Sequence, residues 1–185
     1  MIKPLGYGLI LMAAFAATPS FAQSDTDVKT FTVTGNVPAL CSGGALSGTG
    51  STFDVGVLID TATGFLRTDL AAPNKQLSGS FCSARSTITV NATPMLAQNF
   101  TGTSPANFSR TVNYTATASG WTDAPAVFAV GAASNLAAVQ QRPTAFTGDI
   151  TVGVSSFTTA GGAALRLVAD TSYLGTVTVT LAVVN

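Results

Sequence analysis

The sequence contains no histidine and no glutamate. Its acidic side chains, 8 in all, are aspartates; they balance 8 Lys+Arg, so charged residues make up 9% of the chain and the formal net charge is zero. Ordinary domains carry about 25% charged residues. Without His or Glu, the commonest general bases and zinc ligands are missing, and a Ser-His-Asp triad cannot be assembled within the chain. No aspartate pair flanks a recognisable cleft motif, so nothing points to two-carboxylate glycoside hydrolysis. The balanced charge gives no electrostatic footprint for nucleic acid. No catalytic residue, metal ligand or cofactor is assigned on these grounds, and the expectation is a protein that is not an enzyme.

What the chain does have is apolar and β-branched. Hydrophobic residues make up 46% and mean hydropathy is +0.43, whereas a disordered chain would be charged and poor in such residues. At the N-terminus, Lys3 precedes an apolar run at residues 9–17 (LILMAAFAA), followed by the small residues Ser20 and Ala22. These are the three parts of a secretory signal. The run is shorter than the roughly 20 residues a membrane span needs, so the mature chain is expected to carry no span. Residues 1–22 are therefore read as a signal peptide and residues 23–185 as one exported domain, in the periplasm in transit and then at the cell surface or outside the cell. Both cysteines, Cys41 and Cys82, lie in the exported part. An oxidising compartment favours a disulfide between them, and they are too far apart for a reactive C-x-x-C pair.

The rest of the chain reads as short strands. Alternation places Phe31, Val33, Gly35 and Val37 on one face of residues 30–37, and Phe53, Val55, Val57 and Ile59 on one face of residues 53–59. Further strands are expected at residues 87–92, 110–118, 149–154 and 164–169. The strongest covers residues 176–184, with Val177, Val179, Leu181 and Val183 on one face and Thr176, Thr178 and Thr180 on the other. Period two with β-branched enrichment is the strand signature. Short strands separated by Gly, Pro, Asn and Ser predict an all-β antiparallel sandwich or barrel. One or two helical turns could form at residues 132–141, ahead of Pro143.

Four stretches together resemble the chaperone–usher pilins and the related spore-coat-U-like secreted proteins. They are FTVTGNV (31–37) leading to Cys41, FDVGV (53–57), residues 77–81 running into Cys82, and the terminal YLGTVTVTLAV (173–183). Val184 stands where pilins usually carry a tyrosine, and residues 95–142 match none of the quoted motifs. The resemblance implies an immunoglobulin-like sandwich that lacks its last strand. It implies a periplasmic chaperone and an outer-membrane usher as partners, and like subunits joined by β-strand addition. Carried onto this sequence, residues 28–37 would be the donor strand, with Phe31, Val33 and Val37 filling pockets and Gly35 at a place that admits no side chain. Val177, Val179, Leu181 and Val183 would form the strand that pairs with the chaperone. The function implied is a subunit of a pilus-like fibre acting in adhesion or biofilm.

Other readings stay open beside it. Residues 30–37 also read as an ordinary first strand of a self-complete sandwich, and the protein as a monomeric extracellular binding module for carbohydrate. Trp121 with Asp123 would then be a sugar platform, against the plainer reading of a core aromatic. DTATG (60–64) reads as a turn rather than a calcium loop, which wants more carboxylates. The sequons at Asn91, Asn99, Asn107 and Asn113 are expected by chance in a chain so rich in Ser and Thr.

Overall fold

The computed structural model describes residues 26–48 and 50–184; the signal-peptide reading lies outside them. The residues before Val37 form a unit of their own, and the sandwich is built from Val37 onward.

Alternating β-branched residues form the strands wherever one face can be buried. The larger sheet runs β1 (Cys41–Ser42), β3 (Lys75–Cys82), β10 (Phe146–Thr159), β7 (Thr111–Ser119), β5 (Met95–Ala97), β12 (Tyr173–Leu174), with β2 (Ala45–Ser47) also on β3 and β8 (Ala126–Ala129) also on β7. The smaller sheet has the order β13 (Val177–Val183), β4 (Ser86–Ala92), β9 (Val139–Arg142). Both sheets are antiparallel. Two short strands, β6 (Phe108–Ser109) and β11 (Arg166–Leu167), form a separate parallel pair. The all-β sandwich expected from the sequence is the architecture observed. The helical turns expected over residues 132–141 reduce to one 3-10 turn, Leu136–Ala138.

Between the sheets lies one core. Tyr114, Ala116 and Ala118 of β7 and Ile150 and Val152 of β10 face Ile88, Val90 and Ala92 of β4. Trp121 is fully buried. Its ring meets Phe146 edge-on at 5.2 Å between centroids, and its indole N–H donates to the Ser86 hydroxyl at 3.3 Å. The Arg142 guanidinium lies over the other aromatic, 3.4 Å from the Phe146 centroid, and donates to the Trp121 carbonyl. Trp121 is therefore a core residue and cannot serve as a sugar platform.

Two expected strands are absent as such. Residues 26–40 carry no strand, so residues 30–37 are not a first strand of this sandwich. Residues 53–58 are extended but unladdered, and only Ile59 bridges, to Leu66. The reason is Gly56, whose φ of +70° breaks the period-two phase. The Asp54 carboxylate fixes that kink by accepting from the Gly56 N–H at 2.9 Å. Phe53 and Val55 turn inward, but Val57, expected on their face, turns outward and Leu58 takes the inner side. The 164–169 strand shrinks to β11.

Cys41 and Cys82 are disulfide-bonded, and are opposite each other in the β1–β3 register. The bond ties the first strand of the sandwich to β3 across 41 residues. Closing a loop of that size stabilises a fold by about 4 kcal/mol in the chain-entropy model. Cys41→Ser/Cys82→Ser is expected to lower unfolding stability by an amount of that order, read from urea midpoints with and without reductant; equal midpoints would show that the bond adds nothing.

Candidate functional site

The candidate site is the free edge of β13 and the groove below it. β13 pairs with β4 throughout, from Val177 opposite Ala92 to Val183 opposite Ser86. Among the described residues no strand pairs with its other side. Its alternation holds as expected: Thr178, Thr180 and Ala182 are exposed, while Val177, Val179, Leu181 and Val183 point toward the core. Yet that inward row is only half-buried, whereas Ile88 and Val90 on the neighbouring strand are fully buried. A row that faces the core without being covered is what a sheet leaves when it lacks a neighbour. Edges of natural sheets are usually guarded by Lys, Pro or bulges; VTVTLAV has no Lys or Pro, and its pairing with β4 runs without a bulge.

At the Val177 end the edge opens into a groove of about 1200 Å³. One wall is the unladdered stretch 51–59, the other is 167–177, and Met95, Tyr114, Val154 and Phe157 form the floor. Phe157 reaches the floor because β10 shifts register between Ser155 and Thr158, where Ser156 adopts a φ of +54°. That bulge turns the strand's phase and stacks the Phe157 ring on Tyr114 at 5.9 Å.

The second wall is held by polar contacts. Tyr114 Oη donates to the Thr176 carbonyl at 2.8 Å, and burial pushes its pKa up to about 12, so it remains a donor at any ordinary pH. Thr93 and Thr176 meet through their hydroxyls at 2.9 Å; Thr93 N–H donates to the Thr176 carbonyl, and Thr176 N–H donates to the Thr93 hydroxyl. Gly175 permits that approach, since a Cβ there would come within 2.8 Å of the Thr93 carbonyl oxygen. Asp170 pins the same wall to the 98–100 turn: its carboxylate accepts from the backbone N–H of Asn99, Phe100 and Ser172 and from the Asn99 side chain, each at 2.8 Å. Partial desolvation pushes this carboxyl up, but the backbone donors of Ser172 and Phe100 and the Asn99 groups outweigh it and hold the pKa at about 2. Asp54 and Asp170, the two carboxylates of the lining, are thus both committed to hydrogen bonds in their own walls.

Outside the groove, Asp60 accepts from the N–H of Ala62 and Thr63, which makes DTATG a capped turn as expected. No group of three or more His, Cys, Asp or Glu is placed to hold a metal among the described residues, and no described helix is long and apolar enough to cross a membrane.

The residues read from the sequence separate into two sets. Val177, Val179, Leu181 and Val183 lie on one inward row at the groove's edge. Phe31, Val33 and Val37 are 85, 95 and 83% exposed and belong to no ladder. Sequence reasoning missed Met95, Phe157 and the wall at 167–176. Only the Ser155-Ser156 step beside Phe157 hints at a bulge, and it cannot be told from an ordinary serine pair. Comparison with protein-family models, with curated proteins and with solved structures finds no match for this chain.

The Asp170 contacts predict a pH dependence. A carboxyl at about 2 in the folded state and about 3.9 unfolded binds more protons when unfolded. Its stabilisation is complete above pH 4 to 5 and is lost as pH falls through about 2. The fall in urea midpoint between pH 6 and pH 2.5 should be smaller in Asp170→Asn than in the parent chain. An identical fall in both would show that these hydrogen bonds do not couple to folding.

Proposed function

We propose that this chain is a non-catalytic structural subunit of a pilus-like surface fibre, joined to like subunits by strand donation. The observation that carries the reading is β13: an unguarded edge strand whose core-facing row is left half-covered beside an apolar groove. A strand laid along this edge would satisfy its free N–H and C=O groups and cover that row, the physics of β-strand addition. The occupant is residues 28–37 of another copy. That segment carries an alternating apolar row, Phe31, Val33 and Val37, which is exposed in its own chain. Such a row is a standing hydrophobic cost for an isolated chain and a ready ligand for a groove of this kind. Gly35, with no side chain, would fit where the groove is narrow. The resemblance to chaperone–usher pilins supplies the rest of the proposal: export through the periplasm, an immunoglobulin-like topology, a chaperone that covers the edge first, an outer-membrane usher, and a role in adhesion or biofilm. The competing idea of a carbohydrate module loses the Trp121 platform read for it from the sequence, because Trp121 is buried.

A synthetic peptide of residues 26–38 tests the proposal when titrated against the purified mature chain, alongside a search for oligomers that resist SDS. The parent peptide should bind and compete with oligomer formation. Phe31→Asp loses the burial of one aromatic side chain, roughly 2–3 kcal/mol, which lowers affinity on the order of 100-fold. Because Phe31 is exposed in its own chain, the same change should leave monomer stability within about 0.5 kcal/mol. Leu181→Asp is expected to behave oppositely, costing several kcal/mol of folding stability through an unpaired charge against the core. If Phe31→Asp destabilises the monomer as Leu181→Asp does, residues 28–37 belong to their own core and strand donation is wrong.

A further inference from the structure

We infer that residues 29–37 of two copies pair with each other as antiparallel strands, Val33 opposite Val33, and that two such pairs pack face to face. This does not rest on the strand-donation reading and puts the same segment to a different use. Among the described residues no strand pairs with residues 26–40, and Phe31, Val33 and Val37 stand almost wholly in solvent. The segment ends at a fixed root. Leu40 N–H donates to the Ser83 hydroxyl at 2.9 Å and Ser83 N–H to the Leu40 carbonyl at 2.9 Å, a clamp next to the Cys41–Cys82 disulfide. Pro38 has no N–H for a ladder and disfavours any but an extended conformation at Val37. A self-pairing strand therefore stops at Val37.

The segment is complementary to its own reverse. With Val33 opposite Val33, Phe31 falls opposite the other copy's Gly35, twice over, and Thr32 falls opposite Thr34. A ring laid over a glycine covers the one position in the row without a side chain. Thr–Thr is a favourable cross-strand pair, and Phe31 lies diagonal to the other copy's Val33, within reach of an aromatic ring. Lys29 falls opposite Val37. Its ammonium is 2.8 Å from the Asp27 carboxylate of its own chain, which leaves its methylene stem to lie along that valine. Moving the register by two residues in either direction takes the ring off the glycine, and moving it by one sets apolar residues against threonines. A parallel pairing in register would set Lys29 against Lys29 and Asp27 against Asp27, and like charges directly opposite destabilise a sheet. Side chains alternate across a strand, so Phe31, Val33 and Val37 of both copies share one face of the pair. A two-stranded ribbon is marginal by itself; the apolar face of a second pair is the cover that matches it, at the roughly 10 Å spacing of stacked sheets.

The test uses the full mature chain. Val33→Asp and Val33→Lys chains are sedimented alone and as an equimolar mixture. Either change also removes an apolar side chain that donation would use, so association regained on mixing reports pairing of the two segments alone. Each variant alone should self-associate on the order of 100-fold more weakly than the parent, from the two valines lost per pair. The mixture, in which Asp meets Lys, should associate roughly tenfold more tightly than either variant alone. The register is read by oxidation with copper–phenanthroline. Val33→Cys chains should form a reducible covalent dimer. Thr32→Cys or Thr34→Cys chains alone should not, because a residue two places out of register lies about 7–8 Å away, beyond the reach of a disulfide; a mixture of those two should. A Val33→Cys chain that does not couple, coupling that is equal at all three positions or strongest at Thr32→Cys or Thr34→Cys alone, or an Asp and Lys mixture no more associated than its components, would overturn the pairing. Strand donation is judged separately, by the peptide titration and the SDS-resistant oligomers, and stands or falls without it.

Discussion

The constraint on which the site depends is the edge of β13. A strand's backbone presents N–H and C=O groups on both sides, and among the described residues β13 is paired on one side only, by β4. The same strand points four apolar side chains into a sandwich that does not close over them. The two deficits share one remedy, since a single extended segment beside β13 supplies hydrogen bonds along its edge and side chains to its inner face. Other features shape the groove at the Val177 end of that strand. Gly56 keeps the 51–59 wall from laddering, the Ser156 bulge turns Phe157 into the floor, and Asp170, Thr93 and Tyr114 pin the opposite wall.

The disulfide and the Ser83 clamp belong to the same arrangement. They act at the end where the sandwich begins, and they hold Leu40 and Cys41 to Ser83 and Cys82.

The strands that alternate over a covered face were legible in the sequence. Residues 87–92, 110–118 and 176–184 were expected as strands and fold as β4, β7 and β13 with the expected side chains inward. The disulfide was legible from the cysteine count and the expectation of export. Alternation alone, however, says only that a segment can be a strand, not that a partner exists. Residues 30–37 and 53–59 have the same pattern as β13, yet neither joins a ladder. For 53–59 the obstacle is a backbone conformation at Gly56 that hydrophobic period does not encode. The short strands β5, β6, β8, β9, β11 and β12, between two and four residues each, are too brief to carry a period at all; they depend on tertiary pairing.

The site was half legible for the same reason. Its edge is a periodic strand and could be read, whereas its groove is an absence bounded by irregular backbone. Met95, Phe157 and the 167–176 wall come together only because a bulge, a glycine and a buried tyrosine hydroxyl place them. Both carboxylates on its lining are already occupied by backbone donors. What is left exposed is a surface with shape, apolar side chains and unpaired peptide groups. In the proposed reading an extended segment is the partner that matches all three, and residues 30–37 carry no charged side chain.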